Sequence, residues 1–192
     1  MAAGSFTAQV EKWVSETKER ALAVRNESVE RVIAVAQEPG PSRARTASAI
    51  KAGAGLGKTK KNGSRGVSKR AFGPIANSGG AGNLPVDSGF LRASLVVSIG
   101  EALPAITKPP KEGVAKTWDA STVQLKLEGA DLSDTITAAY TAAYARRIEY
   151  GFKGKDKLGR EYNQSGSRFV ALAAQQWQRI VSEVAAEAQA GG

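Results

Sequence analysis

The sequence predicts an α+β domain made of a long N-terminal helix, a small antiparallel sheet and a C-terminal helix, with a basic, glycine-rich insertion after the first helix. Three observations predict it. Apolar residues recur at helical spacing from residue 5 to residue 37 and again from residue 167; short stretches between residues 91 and 140 alternate apolar with polar; and residues 39–83 lose all periodicity. At 192 residues the chain suits one core rather than two. It divides into a helix at 1–38, a basic arm or loop at 39–83 and an α+β core at 84–192.

Taken in order, Ser5 to Gln37 reads as one helix. Phe6, Val10, Trp13, Val14, Ala21, Val24, Val29, Val32, Ile33 and Ala36 share a face, with charges opposite. Ser5 can cap its start, and Pro39, Gly40 and Pro41 end it. Such a helix is roughly 50 Å long at 1.5 Å per residue, more than a domain of this size needs to cover its own core. Part of its stripe, Trp13 included, is therefore a candidate for contact with another subunit; the competing expectation is a bent helix packed wholly at home.

From Pro39 to Asn83 the chain turns to Gly, Ser, Lys and Arg, with ten glycines and one short helical signal at Thr46 to Ala52. A loop of this length inside a compact domain is either a functional arm or slack. Beyond it, Leu91, Ala93, Leu95, Val97 and Ile99 alternate with polar residues, as do Val123, Leu125 and Leu127, predicting two antiparallel neighbouring strands. The prolines at 104, 109 and 110 make Leu103 to Trp118 a loop. A third strand is expected at Thr135 to Tyr140, a short helix at Ala142 to Tyr150 stopped by Gly151, a charged loop at Phe152 to Ser165, and a last helix at Ser167 to Ala188.

Composition narrows the chemistry. The chain has no cysteine and no histidine, which removes disulfides, thiol nucleophiles, imidazole bases and the usual zinc sites. Neither an export signal nor an apolar run of membrane-spanning length is present, so a soluble intracellular protein with no membrane partner is expected. The net charge of +9 is concentrated: Arg43, Arg45, Lys51, Lys58, Lys60, Lys61, Arg65, Lys69 and Arg70 stand in a stretch, Pro39 to Val86, without Asp or Glu. Removing those nine from 27 basic residues leaves 18 against 18 acidic ones. Like charges without a counter-charge are expected to leave the neutral body and lie against something negative, DNA or an acidic protein surface.

Two motifs imitate active sites. AGAGLGKT, Ala52 to Thr59, fits a relaxed phosphate-loop pattern in which Lys58 would reach the outer phosphates and Thr59 would hold magnesium. No apolar strand precedes it and no helix signal follows, so it reads as a coincidence of a Gly- and Lys-rich loop. Val86, Asp87, Ser88 and Gly89 spell the tetrad of aspartic proteases, but Phe90 is too bulky for the paired loops such enzymes bring together. A tight turn needs less: Pro85 fixes its approach, Asp87 accepts from backbone N–H groups, Gly89 permits a positive φ, and Leu91 and Leu95 drop into the core.

PVDSGFLRASL at 85–95, YARRIEYG at 144–151 and SRFVALAAQQW at 167–177 together resemble, in order, the three signatures of the tail-completion or neck proteins of long-tailed bacteriophages. The resemblance covers about residues 84–188, with Ser88 where that family usually has Thr, Phe152 where Thr is common, and the basic insertion as departures. It implies a non-catalytic α+β subunit, without cofactor or metal, that assembles with itself into a ring, six-fold in expectation, at the head-to-tail junction of a virion. Such a subunit would be assembled in the bacterial cytoplasm and would touch head-connector and tail proteins and packaged DNA. Carried over, Pro85, Asp87, Gly89, Leu91 and Arg92 shape the first turn, while Tyr144, Arg147, Glu149, Gly151, Arg168 and Phe169 mark the second half and are interface candidates. Glu149 is expected to pair with Arg146, Arg147 or Arg168. The alternative function is nucleic-acid binding through the basic arm.

Overall fold

The computed structural model describes residues 5–40, 82–86, 89–100, 102, 105–108, 117–155, 159 and 161–191. The nine basic residues from Arg43 to Arg70, the phosphate-loop look-alike, the helical signal at Thr46 to Ala52, and Asp87 and Ser88 lie outside the described residues. The expected α+β architecture is present: a long first helix, small antiparallel pairings and helices that close the C-terminus.

Helix α1, Phe6–Gln37, runs unbroken for 32 residues. The Ser5 side chain accepts from the Ala8 N–H, and Glu38 turns extended ahead of Pro39. Its second half is built in: Ser28, Ile33, Ala36 and Gln37 are buried. Just past its end, the Gly40 N–H donates to the Leu84 carbonyl at 2.8 Å, the Gly82 N–H to Pro39 at 3.0 Å and the Leu84 N–H to Glu38 at 3.2 Å. The two ends of the insertion are thus tied side by side in a short parallel pairing around Pro39 and Leu84. Gly82 is required there, because a Cβ would collide with the Glu38 carbonyl.

The first expected strand begins later than its alternation predicted. Phe90–Ala93 forms a single helical turn, α2, entered through Gly89 at φ 76°, and strand β1 is Leu95–Ile99. Ser94 makes the switch: its hydroxyl donates to the Leu91 carbonyl at 2.7 Å, closing the turn before the chain extends. The stretch expected as a second strand is instead a helix, α3, Ser121–Glu128. Val123 and Leu127 are buried at 5% and 1% exposure whereas Leu125 is 68% exposed, so the spacing that matters is four, not two. The Asp119 carboxylate accepts from the Ser121 N–H at 3.0 Å and starts the turn; the same bond holds that carboxyl below its usual range. The real partner of β1 is the expected third strand, β2, Ile136–Tyr140, paired antiparallel from Leu95 opposite Tyr140 to Ile99 opposite Ile136.

Helix α4, Ala145–Tyr150, ends at Gly151 as predicted, but the next segment is no loop. Strands β3, Gly151–Lys155, and β4, Glu161–Ser165, form an antiparallel hairpin. Its alternation is hidden by charge and glycine, because both faces of the ribbon are largely exposed. The final helix is two: α5, Phe169–Gln175, and α6, Trp177–Ala190, broken at Gln176. α6 runs back along α1 with Ile180 and Val184 buried, and its last turns lie beside Thr17, Ala21 and Val24. Arg31 clasps Glu187 across this contact.

The core has two clusters. Ile33, Val97, Val123 and Leu127, with Val29, Leu95, Trp118 and Ile136 around them, join α1, α3 and the β1–β2 pair. Polar groups of α1 fasten the end of α3: Asn26 donates to the Leu127 carbonyl of its last turn at 2.9 Å, and Arg25 to the Ala130 carbonyl just beyond it at 3.3 Å. The second cluster, Leu84, Phe90, Leu91, Ala142, Ala145 and Phe169, is where the sequence motifs meet.

Candidate interaction surfaces

All three motif stretches converge on this second cluster. Phe90 and Leu91 come from the first, with Leu84 just ahead of it, Ala145 with the half-buried Tyr144 and Ile148 from the second, and Phe169 from the third. The Phe90 and Tyr144 rings lie 6.2 Å apart, and Phe169 meets Tyr140 edge-on at 5.0 Å. Burial pushes the Tyr140 phenol above its ordinary range; the nearby Glu149 charge adds to this and Arg92 opposes it. Tyr140 donates to the Ala36 carbonyl at 3.3 Å, tying the cluster to the last turn of α1.

Among the described residues Glu149 forms no ion pair. It is buried, and its two carboxylate oxygens accept from the Val170 N–H at 3.0 Å and the Ala171 N–H at 2.9 Å, the unsatisfied donors that open α5. Among the described residues no arginine side chain reaches its carboxylate, although the Arg168 N–H donates to the Glu149 carbonyl at 3.1 Å. Arg168 points to the reason. It stands at the N-cap position at φ 55°, a left-handed conformation uncommon for a residue other than glycine, and its side chain has no acceptor to offer, so the first N–H groups of the helix are left to Glu149. Gly151, at φ 81°, packs against the Gln164 carbonyl where a Cβ would clash. Sequence reading identified the residues of this corner and missed the bond that joins them; a carboxylate twenty residues ahead of a helix lacking a Ser, Thr, Asp or Asn cap was the available signal.

The other motif residues divide. Arg92 belongs to the interior seam: its Nε donates to the buried Gln37 side chain at 3.4 Å, Gln37 in turn donates to the Arg92 carbonyl at 3.1 Å, and the guanidinium lies 5.5 Å from the Trp118 ring centroid. Pro85 is exposed beside it. Phe169 is buried, so it shapes the core rather than a surface. Arg147 and Arg168 are exposed, and Arg147 stacks over the Phe152 ring at 4.4 Å.

Two exposed surfaces remain. The first is the start of α1, where every residue from 5 to 20 is exposed. Phe6, Val10, Trp13 and Val14 form its apolar stripe, with Phe6 80% and Trp13 65% exposed. The turns before Thr17 extend past the end of α6 by roughly 18 Å at 1.5 Å per residue. The second is an open cleft lined by Ala143, Arg146, Arg147, Tyr150, Gly151 and Phe152. Among the described residues no helix is long and apolar enough to cross a membrane, and no group of three or more Asp, Glu, His or Cys is placed to hold a metal ion. Comparison with protein-family models, curated proteins and solved structures gives no match.

Proposed function

We propose that the chain is a structural subunit of the neck of a long-tailed bacteriophage particle, one that joins head connector to tail by assembling with itself into a ring, and that it has no catalytic activity. The observation that carries this reading is the projecting half of α1. A helix whose second half completes the core continues for several further turns with aromatic and aliphatic side chains exposed on one face, none of them covered by the described residues of the other elements. Contiguous apolar surface of this kind is characteristic of a protein interface. The ordered set of motifs gives the interface its biological setting, and their convergence in one cluster makes them determinants of the fold such a ring would use.

A ring repeats one heterologous contact, so the stripe should meet a different face of the next subunit. Trp13→Glu is expected to abolish self-association, measured by native mass spectrometry in the presence of the adjoining neck proteins, while circular dichroism stays that of the intact protein. A closed two-fold dimer indifferent to Trp13→Glu would overturn the proposal.

A further inference from the structure

The outer face of α4 carries positive charge that no described carboxylate balances, and the fold explains why. The one carboxylate of this helix, Glu149, is turned inward to the N–H groups of Val170 and Ala171. Arg146 and Arg147 are left exposed, and among the described residues neither has a carboxylate partner. Tyr150 follows them at positions i+4 and i+3, so all three are neighbours on the helix surface, and its ring is 76% exposed. Gly151 then folds the chain back so that the Phe152 ring lies beneath the Arg147 guanidinium. Ala143 keeps the floor between them low, and the result is the open cleft already described.

A pair of solvated arginines is ordinary on a protein surface. Two uncompensated guanidiniums interleaved with two aromatic rings in one cleft have the composition that holds a polyanion bearing flat rings: guanidiniums take phosphates and an exposed ring stacks a base. An acidic peptide would satisfy the arginines but leave the open face of Tyr150 unused. We propose that the cleft of Arg146, Arg147, Tyr150 and Phe152 binds a single-stranded nucleic-acid segment, with phosphates on the two guanidiniums and one base on Tyr150. This goes beyond ring assembly and does not rest on it.

The basic segment from Arg43 to Arg70 adds a sequence-independent background, so the test reads stacking separately from charge. Fluorescein-labelled oligothymidylate is titrated into the full-length protein by anisotropy at several salt concentrations, with Y150A, Y150F and the R146Q/R147Q pair as variants. Tyr150→Ala should weaken binding roughly five- to 150-fold, the range for losing one stacked base, with the salt dependence unchanged; Tyr150→Phe should bind like the intact protein. The double Gln variant should lower the salt slope by about 1.4, two phosphates at about 0.7 each. Because these side chains are exposed, thermal melts should coincide with that of the unaltered chain. A 4-thiothymidine oligonucleotide should crosslink to the peptide containing Tyr150. Affinity unchanged in Y150A overturns the proposal. So does an oligoglutamate peptide that competes on equal terms in both the intact protein and Y150A, which would assign the cleft to an acidic protein partner.

Discussion

The two halves of α1 carry the same apolar pattern and meet opposite fates. From Ser28 onward the stripe disappears into the protein, with Ile33 at 5% and Ala36 at 8% exposure, and polar groups lock it in place: Gln37 to Arg92 and the Ala36 carbonyl to Tyr140. From Phe6 to Val14 the stripe faces outward, and among the described residues the charges around it make a local pair, Lys12 with Glu16. Helical periodicity states that a face is apolar; it does not state whose apolar surface covers it. The buried half therefore reports on folding, and the projecting half on assembly.

Paired aromatic substitutions give the largest contrast. Phe169, 2% exposed at the meeting point of the motifs, should cost about 3–5 kcal/mol on truncation to Ala, as expected for a well-packed core ring. Trp13→Ala should shift the urea unfolding of the unassembled subunit by less than about 0.5 kcal/mol, in keeping with an exposed site, although the residue is larger. Equal losses would show that the first half of α1 packs against its own subunit, and the contrast between the halves would disappear.

What the sequence made legible follows the same division. The long helix, its Ser5 cap, the strand ending at Tyr140 and the stop at Gly151 are local signals, each carried by one residue type whose preference nothing overrides. Alternation misled where it was short: three apolar residues at 123, 125 and 127 satisfy both a strand and a helix, and only burial of the outer two decides. The hairpin after Gly151 was illegible because neither face of it is buried enough to leave a pattern. The Glu149 contact was illegible for another reason. It joins α4 to α5 across a hairpin, and a charge surrounded in sequence by arginines reads as an ion pair until the backbone brings the N–H groups of Val170 and Ala171 to it.

That contact supplies the next effect in size. Glu149→Ala leaves two N–H groups at a partly buried helix start without their carboxylate partner, a loss of about 1–3 kcal/mol, measured by denaturant unfolding. Glu149→Gln keeps one acceptor oxygen and should lose less. Charge reversal at Arg146 or Arg147 should leave stability nearly unchanged, since neither touches Glu149. A strong response to reversal at either arginine would restore the ion pair and place this corner, like the start of α1, among the solvated surfaces.

The smallest effect concerns the seam that holds the second half of α1 to the motif cluster. Tyr140→Phe removes the hydroxyl that donates to the Ala36 carbonyl and should cost about 1 kcal/mol near neutral pH. Its sharper signature is alkaline. Burial holds the phenol protonated in the folded protein to higher pH than in the unfolded chain, where a tyrosine titrates near pH 10. Below about pH 10 both states keep the proton and the full stability is present. As the pH rises further the unfolded chain loses its proton first, and stability falls until the folded phenol also ionises. The readout is the difference between the intact protein and Tyr140→Phe, followed by urea unfolding from about pH 9 to about pH 11. The intact protein should lose stability more steeply across that interval. Parallel curves would mean that Tyr140 is solvated, and that the end of α1 is held by Ile33, Ala36 and Gln37 without it.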